Sequence, residues 1–150
     1  MIHVEEANPE HTSLTRDVDL MVRRPDLERI RVVAAQHGFQ FRHAAGGDML
    51  IYGEGRPARN AVHLIFSGEK ARPNYPVAAP PMEPEQKHIH GKEVMVIALP
   101  DLVRMKLTSN RDKDRVHIRS MDAAGLVTHM VEEQLTPELL ARLKQIRETE

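Results

Sequence analysis

The hydrophobic pattern divides the chain into a strand-rich first half and a helix-rich second half. Residues 17 to 22 read as a short strand, Asp-Val-Asp-Leu-Met-Val, entered through Thr15 and Arg16. Arg24-Pro25-Asp26 then opens a helix, with proline at a tolerated first-turn position and an acid near the positive end. Leu27, Ile30, Val33 and Ala34 recur at helical spacing, and Gly38 supplies a stop. Phe39 and Phe41 alternate with Gln40 and Arg42, the period of a strand. After the turn at Ala45-Gly46-Gly47, "DMLIYG" and "NAVHLIF" are two further strands, separated by Gly-Glu-Gly-Arg-Pro.

Residues 71 to 91 carry Pro73, Pro76, Pro80, Pro81 and Pro84, and predict a long irregular loop. "EVMVIAL" after Gly91 predicts a buried strand. Pro100-Asp101 starts a helix bearing Leu102, Val103, Met105 and Leu107, and a second runs from about Asp112 to Gly125. Thr136-Pro137-Glu138 combines a hydroxyl cap, proline and an acid, with Leu139, Leu140, Leu143 and Ile146 as the buried stripe that follows. No internal repeat is visible. The order of elements predicts an α+β fold: a small mixed β-sheet packed against helices, with a C-terminal helical layer over 100–150.

Bulk properties narrow this picture. At 150 residues the chain has room for a single domain with its own core. With 21 basic and 22 acidic residues it has no electrostatic bias toward nucleic acid or a membrane surface. It has no cysteine, which removes disulfides, thiolate catalysis and cysteine-ligated zinc. No run approaches the roughly 18 apolar residues of a membrane span, so no membrane partner is expected. The acidic "MIHVEEANPEH" lacks a signal-peptide core, and the cytoplasm is the expected compartment. Aromatics are only 3%, so the core must draw on aliphatics and on eight methionines, with Met49, Met95, Met105, Met121 and Met130 read as core filler.

Candidate chemistry centres on Asp17 and Asp19. On a strand both carboxylates share a face, where each raises the proton affinity of the other. A divalent cation relieves that conflict, and Mg²⁺ commonly sits between one or two carboxylates and substrate phosphates. The alternative is a solvated acidic turn leading into a strand, since D-x-D is short and common. His88 and His90 are two apart but lack a third ligand at a defined spacing, which favours a solvated pair. Ser13, Ser67, Ser109 and Ser120 lack the context of an activated nucleophile, and there is no phosphate-binding glycine loop.

"LTRDVDLMV", followed by a helix and Gly38-Phe39, resembles the nucleotidyltransferase superfamily. The similarity is to its small bacterial branch, related to minimal nucleotidyltransferases and abortive-infection toxins of toxin–antitoxin type. Leu14, Thr15, Asp17, Val18, Asp19 and Leu20 carry the first motif. Leu102, Lys106, Leu107, Arg111, Lys113 and Asp114 carry a second, and the resemblance runs from about residue 14 to residue 127. It implies a nucleotidyltransferase-type mixed sheet and transfer of a nucleoside monophosphate from an NTP to an acceptor hydroxyl. Asp17 and Asp19 would hold Mg²⁺ (or Mn²⁺). Thr15, Lys106 and Arg111 would contact the nucleotide, and Lys113 is more simply part of an exposed charged face.

The chain departs from the family pattern at three places. A strand ending in Gly-Gly or Gly-Ser should precede the aspartates, yet 14 residues without glycine precede Thr15. Residues 1–14 are then expected to be the remnant of an N-terminal helix in a truncated chain. A third carboxylate should come from a later strand, where His63 stands, with Glu69 just beyond. A further aspartate is replaced by His117. The alternative function is therefore a catalytically degenerate member that binds nucleotide or protein. The absent strand also predicts a homo-oligomer or a protein partner at an uncovered sheet edge.

Overall fold

The computed structural model describes residues 18–44, 47–53, 61–89 and 91–149. Asp17, Thr15 and the remainder of the N-terminal segment lie outside them. The fold is mixed α+β and clusters into two compact units, where the sequence reading treats 1–150 as one domain. The sheet unit spans 15–74 and 78–82; the helical unit contains 1–14, 75–77 and 83–150.

The sheet unit begins with β1 (Val18–Val22), followed by a 3₁₀ turn (Arg24–Asp26) and α1 (Leu27–Gln36). β2 (Phe39–Ala44), β3 (Gly47–Tyr52) and β4 (Val62–Phe66) complete a four-stranded sheet in the order β1-β4-β3-β2. β1 runs parallel to β4; the other pairs are antiparallel. The α1–β2 corner depends on Gly38, whose φ of +81° suits glycine and whose missing Cβ would lie 3.2 Å from the Tyr52 ring. Val22, Leu50, Leu64 and Phe66 are buried on one face, packed with Leu27, Ile30, Ala34, Phe39 and Phe41. Residues 78–82 return to the turn after β4, where Ala79 N–H donates to the Glu69 carbonyl at 2.8 Å and Ser67 Oγ to the Pro80 carbonyl at 3.0 Å.

Val33 corrects the helical reading. It belongs to the predicted stripe of α1, yet it is 48% exposed, and α1 buries none of its residues fully. The helix covers the middle of the sheet and leaves the β1 side open.

The helical unit holds α2 (Leu99–Ser109), α3 (Asp112–Ala123), a short α4 (His129–Glu132) and α5 (Pro137–Glu148). Val103, Leu107, Ile118, Met121, Leu139 and Leu143 are fully buried at its centre. Thr136 caps α5 as expected, its Oγ1 accepting from Leu139 N–H at 3.4 Å. Asn110, at φ +47°, turns the chain between α2 and α3.

Three further expectations need correction. The Pro-rich segment is not irregular throughout: Glu85–Ile89 forms β5, which pairs antiparallel with β6 (Lys92–Val96). The strand after Gly91 is not buried: among the described residues it pairs only with β5, and Val94 and Met95 are 38% and 58% exposed. Nor are the methionines uniformly core filler. Met49 and Met121 are buried, while Met95 and Met130 face outward.

Candidate functional site

Strand alternation and register place the candidate site on the sheet face opposite α1. Val18, Leu20 and Val22 occupy the helix-facing row of β1, so Asp19 and Met21 occupy the other. Asp19 stands in register with His63 on parallel β4, and His63 with Met49 on β3. Residues in register across neighbouring strands share a face, so the carboxylate and the imidazole project from the same side of the sheet. Asp19 is exposed and His63 half-buried. Met49, Ile51 and Ala61 form a small buried apolar cluster among the strands of this sheet.

The described part of the candidate set is thus one carboxylate and one imidazole. Carboxylates suit Mg²⁺ and Mn²⁺, whereas an imidazole nitrogen suits transition metals. Mn²⁺ fits this mixed pair better than Mg²⁺ does. Among the described residues, no three His, Asp or Glu side chains cluster closely enough to hold an ion. Glu69, the other candidate for a third carboxylate, is engaged elsewhere. It pairs with Arg24, whose Nε lies 2.9 Å from Glu69 Oε1.

That pairing belongs to a polar cluster on the helix side of the sheet, which the sequence reading did not single out. Arg24 also reaches Asp48 at 3.3 Å, and its guanidinium lies over the Phe66 ring, 3.3 Å from the centroid. His43 Nδ1 meets the other oxygen of Asp48 at 2.5 Å. Hydrogen bonding to Glu69 raises the Arg24 pKa against the opposing pull of burial. The same bond lowers that of Glu69. Asp48, buried at the head of an apolar strand, is the sequence signal that such a cluster exists.

Lys106 and Arg111 lie in the helical unit, where both hold Asp114. This carboxylate is fully buried. Arg111 Nε donates at 2.7 Å, Ser109 Oγ at 2.6 Å and Lys106 Nζ at 3.2 Å. The Arg111 N–H adds a longer bond at 3.3 Å, so Asp114 also caps the start of α3. Burial by itself would raise the Asp114 pKa, but the hydrogen bonds from Arg111 and Ser109, with the charge of Lys106, hold it at about 2. His117, one turn further along α3, has a buried Nδ1 without a hydrogen-bond partner. Burial and the neighbouring Lys106 charge lower its pKa, which favours the neutral ring. Thr15 and Asp17 are outside the described residues, as is His90; His88 is exposed on β5 opposite Glu93.

Among the described residues no helix is long and apolar enough to cross a membrane. No family model, curated protein or solved structure matches this chain.

Proposed function

We propose that the chain is a nucleotidyltransferase-like protein that binds an NTP with a divalent cation at Asp17 and Asp19 and transfers its nucleoside monophosphate to an acceptor hydroxyl. The observation that carries this reading is Asp19 in register with His63 on the sheet face opposite α1, with the Asp19 carboxylate exposed on β1. The parallel β1–β4 pair inside a small mixed sheet supports it. Asp19, with Asp17 two residues earlier, supplies anionic oxygens, and His63 supplies a neutral donor from the adjacent strand. A bound cation would neutralise charge on the triphosphate and make the acceptor oxygen a better nucleophile. Thr15, Lys106 and Arg111 are the proposed nucleotide contacts. Lys106 and Arg111 both donate to the buried Asp114.

A second reading has its own support. With an imidazole at the register position beside Asp19, the site lacks one negative charge that a two-cation transfer would use. The protein then holds nucleotide without transferring it. Incubation with α-labelled NTPs and Mn²⁺ or Mg²⁺, read for label on protein, RNA or small hydroxyl compounds, tests the first reading. Equilibrium dialysis with the same NTPs tests the second. Transfer abolished by Asp19→Asn supports the enzyme, and binding without transfer supports the binding module. In the latter case His63→Asp should confer or increase transfer. Absence of both binding and transfer refutes both readings.

A further inference from the structure

The sheet unit ends in a strand built unlike a protected edge. β1 has β4 on one side and, among the described residues, no strand on the other. Solvated edges are usually blunted by lysine, proline or a bulge. β1 reads Val-Asp-Leu-Met-Val and carries no lysine or proline; its single charge, Asp19, lies on the face away from α1. Its helix-facing row is uncovered: Val18 is 57% exposed and Leu20 42%. Beside it runs a groove of about 600 Å³ between the sheet and α1, lined by Leu20, Ile30, Val33, Phe39, Leu50 and Val62. Arg29 and His37 also border this otherwise apolar groove.

We propose that this edge is a homodimer interface, in which a second copy of the chain adds its own β1 antiparallel about a two-fold axis through Leu20. The strand is close to palindromic. Centring on Leu20 sets Val18 against Val22, Asp19 against Met21, and Leu20 against its own counterpart, so all five strand residues pair with strand residues. Opposed residues of an antiparallel pair share a face. Val18, Leu20 and Val22 of both copies therefore join into one apolar strip, and the two four-stranded sheets become continuous. α1 of each copy lies on the same side of that sheet, so the two grooves face each other across the axis and Leu20 and Val33 are covered.

Charge also bears on the register, because Asp19 then faces Met21 and not another carboxylate. A register centred on Asp19 would instead oppose two carboxylates. The arrangement is isologous and closes on itself, which suits a dimer rather than a filament. It rests on the edge and the groove, and is independent of the nucleotidyltransferase reading.

The chain contains no cysteine, so a single introduced thiol reports the axis directly. Under mild oxidation Leu20→Cys should give a covalent dimer, since directly opposed residues fall within disulfide reach. Met130→Cys, at a site 73% exposed on the other unit, should stay monomeric. Sedimentation over a wide concentration range should show a dimer whose dissociation constant rises at least tenfold in Leu20→Lys, with unchanged far-ultraviolet circular dichroism. A monomer at all concentrations overturns the proposal. So does a dimer indifferent to Leu20→Lys, cross-linking equal at positions 20 and 130, or a monomer whose groove takes up a different polypeptide.

Discussion

Replacing Asp114 with asparagine tests how the helical unit is held together. Asparagine keeps the size and the hydrogen-bond acceptor of the acid but removes the charge that Lys106 and Arg111 neutralise. The fall of the Asp114 pKa from the ordinary 3.8 to about 2 corresponds to roughly 2–3 kcal/mol favouring the ionised form in the folded state. Asp114→Asn should therefore cost about 2–3 kcal/mol at neutral pH, a large share of the stability of a domain this size. Asp114→Ala should cost more, about 3–5 kcal/mol, because it leaves cations without their buried partner. The sign of the pH dependence follows from the depressed pKa. The stabilisation is fully present above about pH 4 and is lost as the pH falls toward 2. Urea unfolding followed by circular dichroism at 222 nm, which the helices of this unit dominate, measures it for both proteins between pH 7 and pH 3. The gap between wild type and Asp114→Asn should narrow steadily below pH 4. A gap under about 0.5 kcal/mol at pH 7, or one that does not change with pH, refutes the reasoning.

The other predictions concern single anchoring contacts. Arg24→Ala should destabilise the sheet unit by about 1–2 kcal/mol in urea unfolding, leaving Asp48 with His43 alone. Arg24→Lys should recover less than half of that, since an ammonium cannot bridge two carboxylates while lying flat on Phe66. Gly38→Ala should cost about 1–3 kcal/mol, through the positive φ and the approach to Tyr52, and should lower the melting temperature measurably. Thr136→Ala should cost about 1 kcal/mol, and Thr136→Asp should retain most of the cap.

What the sequence disclosed was mainly what local chemistry determines. Phe39 and Phe41 alternate because one sheet face is apolar, Gly38 stops a helix because its φ is positive, and Thr136 caps because the next residues offer free N–H groups. What it concealed depends on partners distant along the chain. β5 reads Glu-Gln-Lys-His-Ile, a polar stretch that becomes a strand only because β6 pairs with it. Val33 has helical periodicity, but it lines an open groove beside Leu20 and stays half exposed. In the candidate site, the strand context of Asp19 was legible from Leu20, Met21 and Val22, and the register with His63 was not, since it is fixed by a parallel pairing. Lys106 and Arg111 stood out through the resemblance to the nucleotidyltransferase pattern; that Asp114 engages both is visible only in three dimensions.

The parallel pairing of β1 with β4 also has a kinetic consequence. Val18 and Val62, neighbours in the sheet, are separated by roughly forty residues of chain, whereas β2 and β3 meet across a short turn. Closing the longer loop costs entropy that is recovered only once β4 has docked on the β2–β3 hairpin. β1 should therefore be the last strand to join during refolding and the first to detach under mild denaturant. At concentrations where the chain is monomeric, amide protons of Asp19 and Leu20 should then exchange with solvent well before those of Leu50 and Ile51, and pairing of two copies through β1 should slow them.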